Sequence, residues 1–247
     1  MISIIICSID EKKFSTVSAH YQKLLVGEPH EIIRIPDAKS MCEGYNRGFA
    51  QAKGDILIFS HDDIEFLRPQ HFASTLKEHM QNFDIIGVAG SNLLVSPRWF
   101  DAGYPHIFGH VASLIPQPFH IMIFGTSSRV IRGIQVLDGL FLAFRRKVLE
   151  QLSWDEQTFA GFHCYDTDMT FRAHLSGFKL AVVNDLPLIH SSDGDYGDNW
   201  RPHGELFTRK HAKDIPFFPD RQTRFCIVKV ETREDVIEVM TPSFWCD

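Results

Sequence analysis

Residues 2–9 read as an apolar, β-branched run, the pattern of a strand covered on both faces. A helical stretch over 12–25 follows and closes at Gly27, and a short strand over 31–35 is stopped by Pro36. The pattern predicts a helix over 40–53, ended by Gly54, because a glycine just past a helix readily takes the left-handed cap conformation. Residues 55–60 (Asp-Ile-Leu-Ile-Phe-Ser) form another buried strand. Pro69 suits the first turn of a helix running to about Asn82, and 84–90 reads as a fourth strand. Strands alternating with helices over the first ninety residues predict an α/β fold, an open, mostly parallel twisted sheet flanked by helices. Ligands of such sheets bind beyond the carboxyl ends of the strands, so the residues there come first as site candidates.

The regularity lapses over 91–135. This stretch carries Pro97, Pro105, Pro116 and Pro118 together with Trp99, Phe100, Tyr104 and Phe108. Its aromatic content predicts an ordered irregular loop covering a site, with Trp99 and Tyr104 available to stack on sugar rings or to pack in the core. Regular structure resumes with a strand over 136–144, helices over 145–152 and 166–176, and a strand over 178–183. Two β-like runs, 225–230 and 236–240, close the chain. The expected organisation is a main domain over 1–205 and a C-terminal extension, 206–247, packed on the same domain.

At 247 residues, with 44% hydrophobic and 23% charged positions, the chain suits one globular domain that needs no disulfides. A formal charge of −6 excludes a nonspecific nucleic-acid binder, which needs a basic face. Five scattered cysteines contain no C-x-x-C pair, so they read as single thiols in a reducing compartment. The apolar start is too short to span a membrane and lacks signal-peptide features, so a cytoplasmic location without a transmembrane segment is expected.

Four constellations carry candidate chemistry. Ser60-His61-Asp62-Asp63 directly follows a strand. Side chains alternate along extended backbone, so His61 and Asp63 would share one face while Asp62 points away, giving half of a divalent metal site. The bland alternative is an acidic turn capping the next helix. His190 stands at the mouth of a second loop, within 188–194, rich in Ser, Asp and Gly, from which a third ligand could come. Asp166 and Asp168 stand at the start of a helix, where negative charge also offsets the helix dipole. Residues two apart on a helix face different directions, so one carboxylate can cap while the other aims at a substrate. Asp138 interrupts an otherwise apolar strand, and a carboxylate there calls for a substrate hydroxyl or a basic neighbour.

With these residues in hand, the sequence resembles the family 2 type of GT-A glycosyltransferases, and more narrowly the branch related to a streptomycin-biosynthesis protein, over roughly 2–194. The resemblance implies a GT-A (nucleotide-diphospho-sugar transferase) fold. It places Ser8, Ile9 and Asp10 at the nucleotide-contacting end of the first strand. Gly44-Tyr45-Asn46-Arg47-Gly48 resembles the family's Asn-x-Gly helix, which also contacts the nucleotide. His61-Asp62-Asp63 stands where the family has Asp-x-Asp, with His61 in place of the first aspartate. Tyr165-Asp166-Thr167-Asp168 resembles the family's Glu-Asp-x-Asp motif, with Tyr165 in place of the glutamate. By that match Asp166 is the candidate base, with Asp138 as the other catalytic candidate and Asp168 a supporting neighbour. His190 resembles the late histidine that completes the metal or diphosphate site. His61, Asp63 and His190 are therefore the expected metal ligands, and Ser8, Asp10, Asn46 and Asp62 the expected nucleotide-sugar contacts. The implied activity is sugar transfer, with inversion, from a nucleotide-diphosphate donor to a carbohydrate or other hydroxyl acceptor, with Mn or Mg as the divalent metal. Three rivals stand beside it: a non-catalytic nucleotide-sugar binder, a non-haem iron oxygenase using His61, Asp63 and His190, and last a nucleotidyltransferase with a related sheet, for which no Gly-rich, basic phosphate loop follows the first strand.

Overall fold

The computed structural model describes residues 1–113, 118–125, 128–192, 196–215 and 226–241. The chain opens with β1 (Ile2–Cys7), α1 (Glu11–Leu24), β2 (His30–Ile35), α2 (Met41–Gln51), β3 (Ile56–Ser60), β4 (Ile64–Phe66) and α3 (Pro69–Asn82). Local signals explain these boundaries. The Asp10 carboxylate accepts the Lys13 N–H at 3.0 Å and starts α1, Ser40 does the same for α2 through Glu43 at 3.1 Å, and Pro69 opens α3. Gly54 does not cap α2 in a left-handed conformation. The helix ends at an extended Ala52, and Gly54 instead lets the chain press against β1, where a Cβ would meet the Ser3 backbone nitrogen at 2.6 Å.

The expected single strand over 84–90 is two strands, β5 (Ile85–Gly87) and β6 (Ala89–Ser91), which lie in different sheets. Every residue from Ile85 to Ser91 is buried, so no solvated face holds the run to one sheet. The region expected as an irregular loop builds much of the second sheet. After a 3-10 turn, Trp99–Ala102, it contains β7 (Ile107–Ser113), β8 (Phe119–Phe124) and β9 (Val130–Arg132). The run over 136–144 also divides, into β10 (Val136–Leu137) and β11 (Phe141–Arg145), so Asp138 sits in the break rather than inside a strand. The chain continues through α4 (Arg146–Leu149), α5 (Tyr165–Leu175), β12 (Leu180–Val183), β13 (Leu188–His190), α6 (Arg201–Lys210), β14 (Cys226–Val230) and α7 (Arg233–Met240). The predicted β-like run over 236–240 is thus helical. Thr232 and Asp235 form a reciprocal capping box that nucleates α7, and its Val236 and Met240 are buried on one face.

The first sheet has the order β2-β1-β3-β11-β5-β12-β9. β1 pairs parallel with β2 and β3, and β5 parallel with β12, while β11 is antiparallel to both β3 and β5. Five strands therefore share one direction and deliver their carboxyl ends to one edge. The second sheet runs β10-β6-β7-β13-β4, with β8 paired to β7 and β14 to β8. Between α2 and the first sheet lies an aromatic knot: Tyr45, Phe59 and Trp154 stand with ring centroids 4.8–5.0 Å apart, all at most 1% exposed. Burying each such side chain contributes about 1.5–3 kcal/mol.

Candidate functional site

The two sheets meet where β3 ends. His61 follows β3, and its backbone N–H donates to Leu140 O at 3.1 Å. Asp63 precedes β4, whose antiparallel pairing with β13 sets His190 opposite Ile64, and the Ser191 N–H closes the pairing on Asp63 O at 2.9 Å. Sheet register thus brings together residues far apart in sequence. Nδ1 of His61 lies 3.3 Å from Nε2 of His190, which lies 3.3 Å from Oδ1 of Asp63. One ligand atom from each residue falls within 4.8 Å of the others. Asp62, between them in sequence, turns away and accepts the Ser8 hydroxyl at 2.6 Å, with Lys13 Nζ at 3.9 Å.

These residues fit a divalent ion. Ligand atoms held at roughly 2.1 Å and at right angles stand about 3 Å apart, close to the spacing between His61, His190 and Asp63. Burial, reinforced by the charge of His190, lowers the His61 pKa, which keeps its imidazole neutral and able to ligate. Burial alone would raise Asp63, but hydrogen bonding and the charge of His190 hold it well below the usual carboxylate range, ionised. Two imidazoles and a carboxylate form a mixed nitrogen and oxygen set, better suited to first-row transition ions than to magnesium.

A cavity of 430 Å³ opens beside this cluster. His61, His190, Asp138 and Asp166 give it a polar end, and Met122 and Phe124 contribute to its apolar wall. Asp166 comes from the first turn of α5, where its Oδ2 accepts the Gly139 N–H at 2.8 Å. Asp138 is held in the break between β10 and β11: Oδ2 accepts Trp99 Nε1–H at 2.8 Å and Oδ1 accepts the Leu140 N–H at 3.0 Å. The Thr170 hydroxyl ties the two carriers together, accepting the Leu137 N–H at 3.1 Å and donating to Asp166 O at 2.7 Å. Exclusion of water, and then the charge of Asp138, push the Asp166 carboxyl up to about 7. A carboxyl at that value beside a cavity can exchange a proton near neutrality.

The other predicted site residues divide. Ser8 and Asp62 meet beyond the end of β1, whereas Asp10 caps α1. Asn46 is half-buried: its amide bonds both ways with the Trp154 backbone, at 2.9 and 3.1 Å, and so braces α2, and it is not among the residues lining the cavity. Asp168 is 1% exposed and held by Arg172 Nε at 2.8 Å, His211 Nε2 at 2.8 Å and Lys210 Nζ at 2.6 Å. Trp99, 5% exposed, packs in the core, donates to Asp138 and also lines the cavity, whereas Tyr104 projects into solvent. Asp193 and Gly194, from the loop considered for a further ligand, lie outside the described residues. Sequence reasoning missed Tyr196 and Trp200, which line the cavity, and the basic end of α6 that neutralises Asp168. Only the Lys210-His211 pair at a helix end hinted at the latter. Of the described cysteines, Cys7, Cys42 and Cys164 are wholly or partly buried and Cys226 is exposed. No helix among the described residues is long and apolar enough to cross a membrane.

Residues 3–210 match the model of a glycosyltransferase-like family. The chain belongs to that family. Among solved structures, this glycosyltransferase-like protein is similar to the mannosyltransferase PcManGT from Pyrobaculum calidifontis, solved with GDP-Man and Mn2+. The TM-score is 0.54 at 10% identity, over 89% of this chain and 65% of that one. A second similarity is to GalNAc-T7, solved with UDP, GalNAc and Mn2+, with a TM-score of 0.49, 11% identity, and coverage of 89% and 52%. This chain therefore spans about two thirds or less of the length of either structure. No curated protein sequence matches the chain. The fold is GT-A, two packed sheets with flanking helices, and not the double-stranded barrel that an iron oxygenase site would normally occupy.

Proposed function

We propose that this glycosyltransferase-like protein moves a sugar from a nucleotide-diphosphate donor to an acceptor hydroxyl, with inversion at the anomeric carbon. The observation that carries this reading is Asp166, a carboxyl raised to about 7, in the same cavity as His61 and His190. His61, Asp63 and His190 would hold a divalent ion, which neutralises charge on a departing diphosphate. The Ser8 and Asp62 pair, beyond the end of β1, lies on the side where a nucleotide enters such sheets. Asp166 takes the proton of the acceptor hydroxyl as its oxygen bonds to the anomeric carbon. The bond from that carbon to the diphosphate breaks, and the electron pair leaves with the nucleotide. One base suffices for this displacement, and no covalent intermediate forms. Asp138, held by Trp99, stays beside Asp166 to keep its proton affinity high and to accept a sugar hydroxyl.

The same proposal carries the finer sequence expectations: the branch related to a streptomycin-biosynthesis protein, a hexosyl donor, manganese as the ion, and cytoplasmic action. It also carries the C-terminal extension, 206–247, packed on the main domain, 1–205, and the pairing of β14 with β8 supports that packing. Thermal unfolding against nucleoside diphosphates, each with and without Mn2+, tests the donor site, because a ligand of the native state raises the midpoint by mass action. We expect one nucleotide to stabilise the protein only with the metal, and Asp63→Ala to abolish that effect. Metal-dependent stabilisation of Asp63→Ala as large as that of the parent would remove Asp63 from the metal site. Metal-dependent donor binding without hydrolysis or transfer across an acceptor panel would leave a nucleotide-sugar binder instead.

A further inference from the structure

Tyr165 is the residue that departs from the family-like motif, and its hydroxyl lies between the candidate metal cluster and the candidate base. Its oxygen is 3.0 Å from Nε2 of His61 and 3.5 Å from the Gly139 carbonyl oxygen. The Gly139 peptide N–H, on the other side of the same residue, donates to Asp166 Oδ2 at 2.8 Å. The Tyr165 ring is 5% exposed and wedged against Tyr45 and Trp154, with centroids 5.7 and 6.0 Å away, so the hydroxyl has little freedom to leave.

The direction of these bonds follows from what each atom must do. Nδ1 of His61 faces His190 and Asp63, so an ion there needs a bare lone pair on Nδ1. A neutral imidazole carries one proton, which must then sit on Nε2 and point at Tyr165. A tyrosine oxygen that accepts this proton has its own hydrogen to place, and the Gly139 carbonyl at 3.5 Å accepts it. The chain therefore runs from His61 Nε2–H to Tyr165 O, and from Tyr165 O–H to Gly139 O. Gly139 is obligatory in it: a Cβ there would collide with the Tyr165 hydroxyl and stand 2.8 Å from the Asp166 Cβ.

We propose that Tyr165 is a positioning residue that selects the Nε2–H tautomer of His61 and so aims Nδ1 at the metal, and that Gly139 couples this alignment to Asp166. The assignment rests on the metal reading above, and its test separates the two. Nitrogen NMR of the imidazoles in the metal-free protein, assigned by comparison with His61→Gln, reads the tautomer directly. Electron paramagnetic resonance titration with Mn2+ alone reads affinity without any sugar transfer. Wild-type His61 is expected as the Nε2–H form. Tyr165→Phe, which keeps the packed ring, should give a mixture of tautomers and weaken Mn2+ binding by roughly 10- to 100-fold, the usual effect of losing a partner behind a metal ligand. Gly139→Ala should reproduce both effects by displacing the Tyr165 hydroxyl. An Nδ1–H tautomer in the wild type, or an unchanged tautomer and Mn2+ affinity in folded Tyr165→Phe, would overturn the proposal. A wild type that binds no Mn2+ would overturn the metal reading instead, while the tautomer still decides the role of Tyr165.

Discussion

Two carboxylates two residues apart on α5 end in opposite electrostatic worlds. Asp166 turns to the cavity, where it accepts a backbone N–H from Gly139 and has Asp138 as its charged neighbour, and its pKa rises to about 7. Asp168 turns to α6. Burial would raise it too, but His211, Arg172 and Lys210 surround it and hold it below the usual carboxylate range. The difference separates a site from a brace. A carboxylate held by two cations and an imidazole N–H has its charge satisfied within the fold, and its chemistry is locked. A carboxylate left beside another, in a cavity, keeps an affinity for protons that a substrate can use.

The comparison breaks most visibly in turnover. Asp166→Asn should reduce sugar transfer by about 10²- to 10⁴-fold while leaving donor binding nearly intact, the usual range for loss of a general base. In the parent the rate should rise with pH through about 7, as Asp166 loses its proton. Full activity in Asp166→Asn would move the base elsewhere, with Asp138 the next candidate. The second-largest effect should be on stability. Asp168→Ala leaves Arg172, Lys210 and His211 without their shared partner, and denaturant unfolding should register a loss of about 3–5 kcal/mol. A loss below about 1 kcal/mol would mean that solvent or Asp155, which also meets Lys210 at 2.7 Å, takes over.

The smallest effect sharpens the contrast through pH. Asp166 is raised in the folded state, so its stabilising contribution is complete below the unfolded value near 4 and disappears as pH rises through about 7. Asp168 is lowered, so its contribution is present above the unfolded value and disappears as pH falls below it. At pH 8, then, Asp166→Asn should be more stable than the parent by ~1–3 kcal/mol, a range reduced because the group opens into a cavity. Below about pH 4 the two should converge. An advantage that is equal at both pH values would show that repacking, and not charge, is responsible.

How much of this was legible depends on where the information lies. Pro69 and the 3.6-residue periodicity after it place α3 from Pro69 to Asn82, and the alternation of β1, α1, β2, α2 and β3 predicts the first sheet. β7 and β8 stayed hidden because His110 and His120 interrupt their apolar runs and prolines crowd their ends. Five apolar-rich residues at 236–240 suit a strand or a helix equally, and the Thr232–Asp235 capping box decides for α7. Asn46 matched a motif, yet its side chain answers to the Trp154 backbone, 108 residues away.

The sequence by itself determined which residues could carry chemistry. Strand ends marked His61 and His190, and the first turn of a helix marked Asp166 and Asp168, because spacing along a strand or helix is a local property. The tertiary structure decided what each became. Pairing of β4 with β13 set Asp63 beside His190, and the break between β10 and β11 set Asp138 beside Asp166. The fold of α6 back onto α5 gave Asp168 its Lys210 and His211 partners. Proton affinity and metal affinity depend on charges and burial within a few ångströms, and those neighbours come from segments that only folding brings together.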